Sequence, residues 1–458
     1  MPWLQLVVSI ISGVTVALLV AAGRSAWARR RVPVGPSRHV ARRTYLRAIL
    51  RASKDDQVQR LCALVPNLIP ATGTELTQIQ DAWQAINTRG NVRIVTRESV
   101  DPLTAGAELL SRGIEVRVGR TLNTDDLSFH TFSGDTYSVV VNHRDGRHDR
   151  PSQLVGQSPV EVFQSHFDQV WESASPLESV LAEQVLGMLR PGDGPARIAR
   201  QMQAVRAKYR LSPTAEESVL RHVAFRHWAP VVFVTGLPGA GKSVVRRHLA
   251  EKLVDLRFQV DQLTDYVYAF RDFLHHAINL DDGRGAGFTA HTGGAFHVRD
   301  ERDLEPALQS LSRTVSRHRE RTPLTLVEFA RSDLVAALRV FGEEVLSSAH
   351  VIHVEASDAA RTMRLTKRAQ PPRVAIRGQG ILVQPSDDHQ LPTTAARSLY
   401  ASEDFTRLRD LKEFEGRVHQ IDNEADDAQF ARIDEKLDAF IEDIIRPYKS
   451  AGLAVSGN

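Results

Sequence analysis

At 458 residues, with 42% hydrophobic and 25% charged side chains, the chain carries enough apolar material for two or three globular domains and is not a low-complexity sequence. A formal net charge of +3 is small for this length, and no aromatic-plus-basic stripe stands out, so nucleic acid is not an expected partner. One cysteine, Cys62, excludes an intramolecular disulfide and fits a reducing compartment.

The first element in chain order is an uncharged apolar run, Trp3 to Gly23, followed at once by Arg24, Arg29, Arg30 and Arg31. Its length matches a helix crossing a hydrocarbon core of about 30 Å. Positive charge follows the run instead of preceding it, which argues against a secretory signal peptide and keeps the basic flank on the cytoplasmic side. Residues 1–35 are therefore expected to be a single-pass anchor in the inner, cytoplasmic membrane, with the bulk of the chain cytoplasmic.

Helical patterning is expected through "RTYLRAILRASKDDQVQRLCALV", then an amphipathic helix, the strand "VRIV", a second helix closing at Gly113 and the strand "IEVRV". "TYSVVVNH" reads as a further strand, and "SPVEVFQSHFDQVWESASPL" as a helix opened by Ser158 and Pro159. Residues 40–175 thus form one α/β domain. Residues 176–228, broken by "PGDGP", read as a helical connector. A second α/β pattern occupies residues 229–446, with strand candidates "VVFVT", "RFQVD", "LTLVEF", "HVIHVEA" and "VHQID". The spacing between these candidates leaves room for crossover helices and predicts a parallel sheet. Residues 447–458 are a tail.

The chemistry concentrates at "VVFVTGLPGAGKSVVRRHLAEKL", which starts at residue 231. Gly236, Leu237, Pro238, Gly239, Ala240, Gly241, Lys242 and Ser243 satisfy G-x-x-x-x-G-K-[ST] between an apolar strand and a helix. Glycines allow turns that aim successive N–H groups at phosphate oxygens, and the helix N-terminus adds a favourable dipole. Lys242 supplies a point charge for the β- and γ-phosphates of ATP, and Ser243 a hydroxyl for Mg²⁺.

Two carboxylates are expected at strand ends facing this loop: Asp261 in "RFQVDQLTD" and Glu328 in "LTLVEFARSD", with Arg331 three residues on. Glu328 has two open roles, ordering Mg²⁺ or taking a proton from a substrate hydroxyl; Asp261 has the same two, or holds the acceptor. Arg361, Arg364 and Arg368 share a helical face ahead of a proline-rich segment, the pattern of an arginine lid over a transferring phosphoryl group. A guanine-reading N/T-K-x-D is missing, and no acidic pair of the AAA type follows an apolar strand.

With these motifs, residues 229–446 resemble the P-loop kinase group that includes nucleoside, nucleotide and adenylylsulfate kinases and zeta-toxin-like sugar-nucleotide kinases. The resemblance implies ATP and Mg²⁺ as cofactors, a small-molecule acceptor, and catalytic roles for Lys242, Asp261, Glu328, Arg331, Arg364 and Arg368. "VEFAR" departs from the E-R-S of deoxynucleoside kinases by two inserted residues. Residues 80–175, through "NVRIVT", "LLSRGIEVRVG", "SFHTFSGDTYSVVVNH" and the final helix, resemble one half of the phospholipase D fold. Aligned on His130, that family's lysine is replaced by Phe132 and its aspartate by Tyr137, and only one copy is present. The resemblance therefore implies an inactive domain suited to sensing or to pairing two copies as a homodimer. The expected function is a membrane-anchored, ATP-binding P-loop kinase for a small molecule. The alternative is a regulatory NTPase switch coupled to the inactive phospholipase D-like domain.

Overall fold

The computed structural model describes residues 38–71, 73–123, 127–145, 148–190, 193–278, 288–290, 296–298, 301–319, 324–368, 376–377, 380–381, 404–411, 414–424 and 429–456. The expected anchor at residues 1–35 lies outside them. Among the described residues no helix is long and apolar enough to cross a membrane.

Among the described residues the chain is α/β, with two principal sheets. The first contains β1 (Val58–Leu64), β2 (Asn91–Arg97), β3 (Glu115–Gly119), β4 (Ser128–Gly134), β5 (Tyr137–Asp145), β6 (His148–Val155) and the short β7 (Ser175–Pro176), in the order β6-β5-β4-β1-β2-β3-β7. β1, β2 and β3 run parallel, with Cys62 opposite Arg93 and Val95 opposite Arg117. β4, β5 and β6 continue as an antiparallel meander. The central strand β1 corrects the expectation of helix through residue 65. The helix Arg38–Ser53 stops there, and Asp55 Oδ1 accepts the Gln57 amide at 3.0 Å in the turn that opens the strand.

One helix, Gln157–Ser173, covers one face of this sheet, burying Phe167 and Trp171 against Cys62, Val95 and Phe129. The other face is packed by Arg38–Ser53, Thr74–Arg89 and Val100–Leu110. Helices Leu177–Leu186, Pro195–Tyr209 and Pro213–Trp228 bury Val180, Leu181, Met202, Val219 and Phe225 in that same core. The core continues into the second sheet through Val232, Val234, Leu326 and Ile352, and into the C-terminal helix Gln429–Ser456 through Ile433, Phe440, Ile444 and Tyr448.

The second sheet comprises β8 (Val231–Thr235), β9 (Val260–Thr264), β12 (Leu324–Glu328), β13 (His350–Glu355) and β16 (Val418–Asp422), all parallel, in the order β16-β13-β8-β12-β9. Two-residue to three-residue hairpins, β10 (Phe288–Ala290) with β11 (Phe296–Val298) and β14 (Ile376–Arg377) with β15 (Gly380–Ile381), stand apart from it. β8 and β12 are buried along their whole length, as a parallel sheet with both faces covered requires. Phe233, Phe329 and Phe341 fill the face opposite the shared core, each buried ring contributing roughly 1.5–3 kcal/mol. Adjacent carboxyl ends in this sheet bring Thr235, Thr264 and Glu328 to one edge, where the glycine loop begins.

Candidate active site

The loop between β8 and the helix Lys242–Asp255 (the loop helix) owes its shape to glycine. Gly236 has φ 134°, and a Cβ there would meet the Val354 carbonyl oxygen at 2.2 Å. Gly241 has φ 97°, and a Cβ there would meet Asn423 Nδ2 at 2.1 Å. A side chain at Gly236 would strike backbone, and at both positions the positive φ is strained for residues other than glycine. Ala240 N donates to the Leu237 carbonyl at 3.0 Å, which curls the chain into a turn. The Gly241 carbonyl then starts the loop helix by accepting from Val244 N at 3.0 Å and Val245 N at 3.2 Å.

Lys242 is buried, and its Nζ folds back to donate to the Leu237 carbonyl at 3.2 Å. Ser243 Oγ donates to Glu328 Oε1 at 2.7 Å, while Arg246, one turn along the same helix, donates Nε to Glu328 Oε2 at 2.7 Å. A second nitrogen of Arg246 reaches Gln262 Oε1 at 2.8 Å. Glu328 ends β12 and is 7% exposed, so its charge is held by a hydroxyl and a guanidinium in a nearly dry site. A hydroxyl and a carboxylate oxygen in contact are hard donors of the kind Mg²⁺ accepts when phosphate and water complete its shell. Among the described residues no group of three or more His, Cys, Asp or Glu gathers for a metal, so the residues fit a metal shared with a phosphate ligand, not one caged by protein.

The second carboxylate is not the expected one. β9 pairs with β12 so that Asp261 lies opposite Thr325, near the strand's beginning, and Thr264 lies opposite Glu328. Asp261 is therefore roughly 10 Å up the strand from the loop edge, and its Oδ2 contacts His318 Nδ1 at 2.6 Å. The residue that follows the strand end is Asp265, which opens the helix Asp265–Ile278. Arg331 NH1 donates to Asp265 Oδ2 at 2.7 Å, and its NH2 donates to the Leu304 carbonyl at 3.1 Å. Both side chains are buried. Next to Arg331, Ser332 bonds both oxygens of Glu301 through its amide and hydroxyl. "RFQVDQLTD" carries both aspartates, and the register of β9 against β12 decides which one reaches the edge.

Arg364 does not stand over the loop as a lid residue. It lies on the helix Asp358–Arg368 and donates NH1 to the carbonyls of Gly239, at 3.2 Å, and Ala240, at 3.1 Å. Its NH2 donates to the Asn423 carbonyl at 2.7 Å. Arg361 pairs with Asp358 at 3.1 Å. Arg368 ends the same helix, and its side chain, with the proline-rich segment beyond, lies outside the described residues. Asn423 follows β16, is 2% exposed, and donates Nδ2 to the Ala240 carbonyl at 2.7 Å. The sequence marks Asn423 as the end of "HQIDN" after the final strand, but its contact with the loop comes only from the fold.

In the first sheet, His130 occupies a different setting. It is 2% exposed, its Nδ1 lies 2.9 Å from the Tyr45 hydroxyl, and Trp83 and Phe132 crowd its ring at centroid distances of 5.5 and 6.4 Å. Burial pulls its pKa down to about 3. The residue two positions on, Phe132, is itself core.

No protein-family model matches the sequence, and no curated protein matches it. Among solved structures the chain is similar to a sugar kinase from Janibacter sp. HTCC2649, at 13% identity over 47% of this chain and 98% of that one, with a TM-score of 0.30. It is similar to a gluconokinase from Sinorhizobium meliloti 1021, at 13% identity over 50% and 98%, with a TM-score of 0.29. Shikimate kinase from Acinetobacter baumannii, solved with shikimate, is 16% identical over 49% and 97%, with a TM-score of 0.28.

Proposed function

We propose that the protein is an ATP-dependent kinase that moves the γ-phosphoryl group to a hydroxyl of a small molecule. The observation that carries this reading is the Ser243–Glu328 contact of 2.7 Å beside Lys242, with a second buried carboxylate, Asp265, just past the neighbouring strand end. The first group serves any nucleotide-binding loop; the second is placed to orient a nucleophile, which in this reading is the acceptor hydroxyl.

Loop amides and Lys242 bind the triphosphate, Lys242 exchanging its contact with the Leu237 carbonyl for phosphate oxygens. Ser243 and Glu328 would hold Mg²⁺, which when bound neutralises charge on the β- and γ-phosphates. Arg246 keeps Glu328 aimed at Ser243. Asp265, oriented by Arg331, holds the acceptor hydroxyl and receives its proton. As that oxygen bonds to the γ-phosphorus, the bond from phosphorus to the β–γ bridging oxygen breaks and ADP leaves.

The test uses the full chain, ATP labelled in its γ-phosphoryl group, and a panel of nucleosides, nucleotides, sugars and sugar nucleotides. Label should appear in one acceptor class, and Asp265→Asn should abolish the transfer while ATP still binds. Full transfer by Asp265→Asn would remove the acceptor role.

A second reading, the regulatory NTPase, has one observation in its favour. Two residues past the loop helix, Arg257 adopts φ 66° and donates to fully buried Glu178 at 3.0 Å and to the Gly113 carbonyl at 3.3 Å. The turn that follows the helix beginning at Lys242 is thus bonded to the N-terminal half. Slow ATP hydrolysis that no acceptor stimulates would favour this alternative. An anchor at residues 3–23, a phospholipase D-like origin for the N-terminal half and pairing of two copies through it belong to the same proposal.

A further inference from the structure

The peptide joining Ala240 to Gly241 is held from outside the loop. Its carbonyl accepts two hydrogen bonds, from Asn423 Nδ2 at 2.7 Å and Arg364 NH1 at 3.1 Å, which uses both oxygen lone pairs. Arg364 NH1 also takes the Gly239 carbonyl at 3.2 Å. Arg364 and Asn423 are themselves fixed to each other, because Arg364 NH2 donates to the Asn423 carbonyl at 2.7 Å. Asn423 N donates to the Glu355 carbonyl at 2.7 Å, which ties the pair to the end of β13. A planar trans peptide points its N–H opposite to its C=O. Fixing the Ala240 carbonyl outward therefore fixes the Gly241 amide inward, among the groups that face a bound phosphate.

We infer that Arg364 and Asn423 are positioning residues: together they form a latch that holds the 240–241 peptide in its anion-binding orientation, so their effect falls on phosphate affinity and not on the charge of the transferring group. This rests on the reading that the loop holds a nucleotide triphosphate. Arg364, two carbonyls already on one of its nitrogens, acts through the backbone. Asn423 carries no charge, yet it shares that function.

The experiment measures binding of ATP and of inorganic tripolyphosphate to the full chain and to Arg364→Gln, Arg364→Lys, Asn423→Ala and the double variant, with unfolding midpoints taken without ligand. Both ligands should weaken roughly tenfold in Asn423→Ala and in Arg364→Gln. The double variant should lose less than the product of the two, because both hold one carbonyl. Arg364→Lys, which keeps the charge and loses the fork, should also weaken both. The KM for ATP should rise with kcat largely kept at saturation. The inference is overturned if tripolyphosphate binding is unchanged while ATP binding falls, since Arg364 would then be reading the base. A loss confined to kcat would overturn it too, by making Arg364 a charge on the transferring phosphoryl. Failure of the unaltered protein to bind either ligand would instead remove the nucleotide reading beneath it.

Discussion

Lys242 and His130 are both buried, both nitrogen bases, and both picked out by a motif, yet their surroundings send them in opposite directions. Lys242 lies at the carboxyl edge of a parallel sheet, its ammonium on a main-chain carbonyl and a serine–glutamate–arginine chain beside it. His130 is in the middle of β4, walled by Tyr45, Trp83 and Phe132, with burial holding it neutral. One environment offers the nitrogen exchangeable polar partners; the other disfavours its protonation by burial. A motif residue is functional where the backbone ends and solvent can be replaced by ligand, and structural where aromatic rings already fill that place.

The sharpest way to break the contrast is at the two residues themselves. Lys242→Ala should lower ATP affinity by at least about a hundredfold, read by calorimetric titration, whereas His130→Ala should leave it within about twofold. Next, Glu328→Gln should cut transfer by roughly a hundredfold while binding persists. Asp261→Asn, on the far part of β9, should change the rate by less than about twofold in the same assay; a large loss there would restore the expected assignment. Smaller in effect, His130→Ala should cost about 2 kcal/mol of stability by opening a cavity under Trp83, read as a lowered urea midpoint with unchanged slope.

The last expectation concerns pH. Burial lowers the pKa values of His130, His222 and His350 to about 3. In the unfolded chain these imidazoles take protons near pH 6.5. Between about pH 6.5 and 3 the unfolded state then binds more protons, so stability should be full above that window and fall as pH is lowered through it. Urea midpoints at pH 7 and pH 5 should differ, and His350→Asn should shrink the difference; an unchanged difference would exclude His350 as a contributor.

Much of the phosphate site was legible because glycine, lysine and serine at fixed spacing between a strand and a helix have few physical readings. Register was not. β9 begins at Val260, three residues later than the apolar pattern places it, because Arg257 turns through φ 66° and Phe258 is spent as an anchor against His222 and Phe225. That shift moves Asp265, not Asp261, to the edge. β1 was hidden by its own spacing: Val58, Leu61, Cys62 and Val65 fall at i, i+3, i+4 and i+7, which suits a helix as well as a strand buried on both faces. The pattern "HQIDN" marks Asn423 but says nothing of what it meets. Its partner, Ala240, is 183 residues away in sequence, and no local pattern encodes such a meeting.

The apolar interior that runs unbroken from Tyr45 to Tyr448 bears on how the molecule can be taken apart. Severing the chain ahead of residue 229 would bare Phe440, Ile444 and Ile445 on one piece and Val219, Val223 and Phe225 on the other. Neither piece is equipped to cover so much oily surface. Heat should therefore melt both sheets in a single endotherm, and an isolated nucleotide-binding half should precipitate unless the first half is supplied to it.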